Sequence, residues 1–245
     1  MKVLVIGETC VDTFIYCDVD RLSPEAPVPV LNPLHTTNNE GMAGNTAANV
    51  KVLCPNSSIS HLTQDGDITK IRYIEEKSNH MFLRVDTGEE KVLQFKWAPT
   101  VDMMLGEADI VIVSDYNKGF LSDIDLTVIA AKSKLSILDS KRQLTDNIIK
   151  DFTFIKLNEG EYKNNTHINH EGIIVTLGSK GASFNDQHYP SPKPQETIDV
   201  SGAGDTFTAA FIVKYHETKN IGSSIKFANE KSSEVVSRRG VVTPK

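Results

Sequence analysis

Residues 199–206 read Asp199-Val200-Ser201-Gly202-Ala203-Gly204-Asp205-Thr206, a glycine-rich turn running into helix-compatible sequence from Ala203 to Tyr215. Glycines at 202 and 204 let the backbone turn tightly and come close to a ligand. The amides that open the following helix have no helical acceptor ahead of them, and the helix dipole adds positive potential at the same place. That combination cradles an anion such as a phosphoryl group. Asp205 then stands where it can take a proton from a hydroxyl attacking that group. The same string serves as well for a turn with Asp205 as a capping carboxylate, so the rest of the chain has to decide.

Working outward, short apolar runs recur at Val3–Ile6, Ile110–Val113, Leu135–Leu138, Phe152–Ile155 and Ile173–Thr176, the pattern of strands buried on both faces. Helix-compatible stretches lie between them, among them Ser122–Lys132 with Ser122 as its cap, and a second C-terminal helix is expected over Ser223–Ser237. Strands alternating with helices predict an α/β fold with a mainly parallel sheet. Two regions break the rhythm. Phe14–Tyr16 and Val28–Leu31 flank Ser23-Pro24-Glu25-Ala26-Pro27-Val28-Pro29, and Ile71–Ile74, Met81–Val85 and Val92–Phe95 read as short strands joined by polar turns such as Thr87-Gly88-Glu89-Glu90. Together, at about 13–34 and 71–96, they predict a small β-sheet lid over a site at the carboxyl ends of the parallel strands.

The 245 residues suit a single domain, 1–245, with 39% hydrophobic and 24% charged residues. A formal charge of −6 without any basic run argues against nucleic-acid binding. Cys10, Cys17 and Cys54 have no Cys-x-x-Cys spacing and read as reduced thiols. No stretch has membrane-spanning length and the N-terminus lacks a signal pattern, so a cytoplasmic location is expected.

The segment 199–206 resembles the D-T-x-G-A-G-D signature of the ribokinase-like (PfkB) carbohydrate kinases, with Val200 in the usual Thr position. The likeness continues through Gly7-Glu8-Thr9-Cys10-Val11-Asp12, Arg21-Leu22-Ser23-Pro24-Glu25-Ala26-Pro27-Val28-Pro29-Val30, Ser114-Asp115-Tyr116-Asn117-Lys118-Gly119, Leu138-Asp139-Ser140-Lys141 and Phe227-Ala228-Asn229. These strings are similar to the subgroup that phosphorylates D-glycero-D-manno-heptose 7-phosphate at its anomeric hydroxyl. The resemblance implies a three-layer sandwich, Asp205 as catalytic base, and an anion hole from the amides of Gly202, Ala203 and Gly204. It implies ATP as phosphoryl donor and Mg²⁺ as its partner, with Asn158 and Glu161 of Asn158-Glu159-Gly160-Glu161 near the metal; a carboxylate and an amide oxygen suit a hard, hydrated cation. The same four residues also have the spacing of a helix cap.

On the nucleotide side the likeness covers Thr176, Gly178 and Gly181 of Thr176-Leu177-Gly178-Ser179-Lys180-Gly181, which otherwise reads as a hairpin turn, and Asn229, which otherwise reads as a surface amide. On the acceptor side it covers Asp12 and, in Gly41-Met42-Ala43-Gly44-Asn45, the residues Gly41, Gly44 and Asn45. Met42 stands at a family glycine, either crowding the acceptor or turned outward, and Thr13 stands at a position basic in the heptose-phosphate subgroup. Arg21, Arg84, Lys118 and Lys141 are candidates for an acceptor phosphate, or solvated surface charges.

Other constellations carry less. His167 and His170 lie in a polar loop without a third ligand, and Asp65-Gly66-Asp67 lacks the closing Glu of a calcium loop. Neither a Walker loop nor His-Glu-x-x-His occurs. Eight residues, Thr63–Lys70, separate the strand ending near Leu62 from the lid strand at Ile71, too few for a parallel crossover. Fifteen, Asn158–Gly172, separate two core strands. The chain is thus expected to be shortened relative to the family, binding a sugar or sugar phosphate and forming a homodimer through the lid. The alternatives are a kinase for another sugar and a non-catalytic sugar- or nucleotide-binding protein.

Overall fold

The structure is a computed structural model and describes residues 1–192 and 198–244. Its strands are β1 (Lys2–Gly7), β2 (Thr9–Asp18), β3 (Asn32–Met42), β4 (Ser58–Leu62), β5 (Ile68–Glu75), β6 (Met81–Thr87), β7 (Ile110–Asp115), β8 (Ser136–Ser140), β9 (Phe154–Asn158), β10 (Ile173–Thr176), β11 (Ala182–Phe184) and β12 (Gln187–Tyr189). Its helices are α1 (Ala43–Leu53), α2 (Pro99–Glu107), α3 (Asp123–Lys132), α4 (Asp146–Ile149), α5 (Glu159–Asn164), α6 (Ala203–Thr218) and α7 (Ile221–Val236).

The body sheet runs β12-β11-β10-β9-β8-β7-β1-β4, parallel from β10 to β4, with β11 and β12 antiparallel at one edge. Side chains alternate across it, as the pleat requires. Val3, Val5, Ile110, Ile112 and Ile174 pack against Val50 of α1, Phe207 and Phe211 of α6 and Ile225 of α7. Leu4, Ile6, Val111, Val113 and Ile155 pack on the other side against Leu105, Leu126 and Ile129 of α2 and α3. Helices on both faces make the expected three layers, and the doubly buried strands explain why the sequence shows continuous apolar runs. Leu4, Val5 and Ile6 are each no more than 1% exposed.

The second sheet, β3-β2-β5-β6, is the expected lid, with one parallel pair, β2 and β5, inside an otherwise antiparallel arrangement. Glu8 alone separates β1 in the body from β2 in the lid, so the chain passes between the sheets almost without a loop. Gly7 permits this, since a Cβ there would lie 1.9 Å from the Ser114 carbonyl oxygen.

Several boundaries differ from the sequence expectation. Val28–Leu31 lies outside the named strands; a single bridge joins Leu22 to Pro29, and the strand begins at Asn32. Prolines 24, 27 and 29 have no N–H to donate to a ladder. Val92–Phe95 is not a strand either. A 3-10 turn at Glu89–Lys91 redirects the chain, and Phe95 N–H bonds the Phe120 carbonyl (2.7 Å) while its ring packs on Phe120 and Trp97. The strand expected at Phe152–Ile155 is Phe154–Asn158, and the last long helix starts at Ile221 rather than Ser223. Asp65-Gly66-Asp67 lies outside helix and strand. β4 is the outer edge of the body sheet, and only five residues carry the chain from it to β5 in the lid. Among the described residues no helix is long and apolar enough to cross a membrane. The three cysteines are free thiols.

Candidate functional site

The carboxyl ends of β8, β9 and β10 and the start of α6 enclose a cavity of about 750 Å³. Gly202, Ala203, Gly204 and Asp205 line it together with Thr176, Gly178, Gly181, Asn158 and Asn229. Residues from Asn158 to Asn229 therefore meet at one place, at the strand ends where open α/β sheets hold ligands.

Gly202 caps α6 with a left-handed backbone (φ 78°), and a Cβ there would press on the Asn45 side-chain nitrogen at 2.6 Å. Glycine is the residue that meets both demands. The Ala203 amide is turned to the Val200 carbonyl at 3.3 Å, and the Thr206 amide bonds back to Gly202. A Cβ on Gly204 would stand 3.0 Å from the Lys156 ammonium, so a cation sits directly against the glycine turn.

Asp205 is buried, and each of its carboxylate oxygens accepts one bond: Asn45 Nδ2 donates to Oδ2 (2.9 Å) and Tyr116 Oη to Oδ1 (3.0 Å). Burial, followed by the charge of Asp139, pushes its acid up to about 6; Asn45, Lys156 and Tyr116 oppose that rise. Asp139, at the end of β8, accepts from Lys156 Nζ (2.9 Å) and Thr208 Oγ1 (3.0 Å) through Oδ2, whereas its buried Oδ1 has no hydrogen-bond partner. Burial works against its charge, but Lys156 and Lys141 outweigh it and hold the carboxyl below its usual value.

Asn158 and Glu161 form the cap that their spacing allows: Asn158 Oδ1 accepts from Glu161 N–H, and Glu161 Oε2 accepts from Asn158 N–H (2.8 and 2.7 Å). The other Glu161 oxygen accepts from Lys141 Nζ at 2.5 Å. Burial alone would lower Lys141, but Asp139 and Glu161 raise it. Asp139 and Asn158 bring oxygen atoms to the cavity lining, a chemistry that fits a hard cation keeping part of its hydration shell, although Asp139 Oδ1 already lies 3.7 Å from Lys141 Nζ and Glu161 is not part of the lining. Among the described residues no group of three His, Cys, Asp or Glu side chains is arranged to hold a metal. His167 and His170 instead bond the carbonyls of Leu144 and Phe152.

Asn229 is buried rather than on the surface; its amide donates to the carbonyls of Tyr189 (2.9 Å) and Pro190 (3.4 Å), tying α7 to the end of β12. Thr176 to Gly181 closes β10 with a 3-10 turn at Gly178–Lys180, and Gly181, at φ 99°, leads into β11.

Of the acceptor-side residues, Asp12 and Gly41 lie in the lid strands β2 and β3, and Gly44 and Asn45 in the first turn of α1. Asp12, on β2, is buried and paired with Arg72 of β5. A Cβ on Gly41 would lie 2.0 Å from the Asp12 carboxylate, and one on Gly44 would lie 2.8 Å from the Thr9 methyl. Asn45, in the first turn of α1, reaches both the Gly202 carbonyl (3.4 Å) and Asp205, joining this group to the cavity. Met42 does not turn outward. It caps α1 at φ 59°, and its side chain is buried with Cys10 and Ile68, next to Tyr116. Positive φ is the physical reason a glycine suits that position. Thr13 bonds Asn38 at the surface.

Of the four cations proposed for an acceptor phosphate, Lys118 pairs with Glu89 (2.6 Å), Arg84 with Asp86 (2.7 Å), Lys141 with Glu161, and Arg21 is exposed. Lys70 and Arg72, unmarked by any motif, join that lid cluster through Glu89 and Asp12. Sequence reasoning also passed over Glu8, Tyr116, Asp139 and Lys156 as individual residues. Strings containing Glu8, Tyr116 and Asp139 supported the resemblance, but nothing in their spacing brings them to Asp205.

A family model described as pfkB family carbohydrate kinase matches residues 56–245. Curated relatives include two proteins named bifunctional protein HldE. That of Nitratiruptor sp. is 27% identical over 99% of this chain, and that of Bradyrhizobium diazoefficiens is 28% identical over 97%. The chain spans 63% and 60% of their lengths. The first of these alignments runs over 293 positions against 245 residues here, so that relative carries residues this chain lacks. Among solved structures, a ribokinase from Thermotoga maritima is 17% identical with a TM-score of 0.71, covering 98% of this chain and 94% of its own. An Arabidopsis thaliana ribokinase complexed with ribose and ATP is 15% identical with a TM-score of 0.72, covering 97% of this chain and 93% of its own. The fold is therefore ribokinase-like.

Proposed function

The chain belongs to the pfkB family of carbohydrate kinases, and from that membership we propose that it transfers the γ-phosphoryl group of ATP to the anomeric hydroxyl of a heptose 7-phosphate, giving the 1,7-bisphosphate. The observation that carries the reading is the single cavity in which the glycine turn 202–204, Asp205 and the residues on the nucleotide side, Thr176, Gly178, Gly181 and Asn229, come together. Asp205 is the base: it is held by Asn45 and Tyr116, and each oxygen retains a lone pair for the hydroxyl proton. The amides at the start of α6, with Lys156 against Gly204, favour the charge that builds on the transferring group. Mg²⁺ would be held near Asn158 and Glu161, Glu161 exchanging its Lys141 contact for the cation's water shell, and would neutralise phosphate oxygens. Asp12, Gly41, Gly44 and Asn45 orient the sugar beneath the lid, and Lys118 with its lid neighbours takes the acceptor's own phosphate. Lid closure excludes water.

The heptose assignment draws on the names of the curated relatives and on the motif strings. Support for a phosphorylated acceptor is the gathering of Lys70, Arg72, Arg84 and Lys118 around the lid, cations that pair with Asp12, Asp86 and Glu89 and could exchange those partners for a phosphate. A homodimer through the lid is also proposed, supported by the exposed Met81, Leu83 and Val85 on β6 and Leu34 on β3.

The test is phosphorylation of a panel of sugars and sugar phosphates with Mg-ATP, with Asp205→Asn as control. Product formed fastest with heptose 7-phosphate, and only by the unsubstituted chain, is expected. Preference for another sugar would overturn the acceptor and keep the chemistry. ATP binding without transfer to any acceptor would favour a non-catalytic binding protein.

A further inference from the structure

Glu8 is completely buried between body and lid, and among the contacts described its carboxylate accepts from backbone amides: Tyr116 N–H on Oε2 (2.9 Å), Lys118 N–H (2.9 Å) and Phe120 N–H (3.3 Å) on Oε1. A buried carboxylate is costly unless such donors surround it, so this one specifies the shape of the turn after β7. Asn117 in that turn takes a left-handed backbone (φ 55°), with its N–H on Asp115 Oδ1. The turn's contribution to the cavity lining is Tyr116. Its ring is covered by Lys141 Nζ, 5.5 Å from the centroid, and its hydroxyl reaches Asp205.

We propose that Tyr116 is a positioning residue for the base, aiming the Asp205 carboxylate at the acceptor hydroxyl and setting the lower pH limit of transfer. The inference rests on the kinase reading above. Asn45 from α1 and Tyr116 from the β7 turn grip different oxygens of one carboxylate, which fixes its plane from two sides. The phenol acts as donor here, because burial, reinforced by the Asp205 charge, raises it well above its usual range. A donor to the ionised form favours that form. The other charges facing Asp205 are Asp139 on β8, Lys141 just after it and Lys156 on β9; Asp139 opposes ionisation and Lys156 supports it. Taking away the hydroxyl removes one of the supports and leaves the opposing carboxylate in place.

Tyr116→Phe keeps the ring and its packing and deletes only the hydroxyl. The measurement is kcat/KM against pH from 5 to 9 for both chains. The acid limb of the variant is expected about one pH unit higher, a loss of about tenfold below the limb that shrinks to a small factor above pH 8. A limb that stays put, or a loss equal at every pH, overturns the proposal. A second readout needs no turnover: carboxyl-¹³C aspartate NMR titration of each chain without substrates, with the Asp205 signal identified by its absence in Asp205→Asn. The same upward move is expected there, and an unchanged midpoint refutes the role of Tyr116 whatever the activity. A midpoint that moves in a chain with no kinase activity sinks the kinase reading and leaves the Tyr116–Asp205 coupling standing.

Discussion

Asp205 carries opposite demands from stability and function. Its acid is raised to about 6 in the folded chain, above its ordinary value of 3.8, so the unfolded chain gives up its proton first as pH rises. Between about pH 4 and 6 the folded state therefore holds the extra proton and loses stability, and above pH 6 the full cost of the buried charge is present. Asp205→Asn is expected to raise stability at pH 7 by about 1–3 kcal/mol, an advantage that vanishes below pH 4 in denaturation curves. The same substitution should lower turnover about 10²–10⁴-fold. For the unsubstituted chain, activity should decline as pH falls through about 6, where the base takes up its proton. A stability gain without loss of turnover would remove Asp205 from the chemistry. Met42 poses a second question at this scale, since a non-glycine residue at φ 59° stores strain of about 1 kcal/mol while its side chain fills the gap beside Cys10 and Ile68. Met42→Gly relieves the strain and empties the gap. Burial has the larger magnitude, so a net destabilisation of about 1–3 kcal/mol is expected in urea unfolding.

At the scale of elements, α6 and α7 play different parts. α6 presents its start to the cavity while its inner face packs on the body sheet through Phe207 and Phe211. α7 is fastened to β12 by the Asn229 amide, which donates to the carbonyls of Tyr189 and Pro190. Asn229→Ala should cost about 1–3 kcal/mol, or roughly 2–4 °C of Tm for each kcal/mol in a chain of this size. It should also raise the KM for ATP, because Asn229 itself lines the cavity; an unchanged KM would confine Asn229 to a structural role. The capping pair Asn158 and Glu161 shows how one spacing serves two readings. The cap is made, and Lys141 binds the remaining oxygen, so any cation there competes with an ammonium. The helix starts at Ser122 and Asn158 were readable because a cap is a local contact. The strands expected at Val28–Leu31 and Val92–Phe95 did not form, because an extended conformation becomes a strand only when a partner with free donors lies alongside.

At the scale of the molecule, a two-faced body sheet and a one-faced lid meet across a single residue, Glu8. The lid's outer strand β6 exposes Met81, Phe82, Leu83 and Val85, and β3 is exposed along most of its length. If a second lid covers them, light scattering across working concentrations should give twice the chain mass, and Leu83→Asp should return it to monomer; a monomer throughout would refute the lid dimer. The amino-acid sequence alone determined the α/β class, the order of the body strands along the chain, the glycine turn before Asp205 and the family. Each of these depends on hydrophobic period, on backbone freedom at glycine, or on contiguous motifs. Tertiary structure alone decided that Met42 packs inward, that Asn229 is buried, and that Lys156 lies against Gly204. It also decided that Tyr116, Asn45 and Asp139 converge on Asp205 from three different elements. Those contacts join residues far apart in the chain, and the strand register and sheet order that bring them within hydrogen-bonding distance are set by the packing of the whole core.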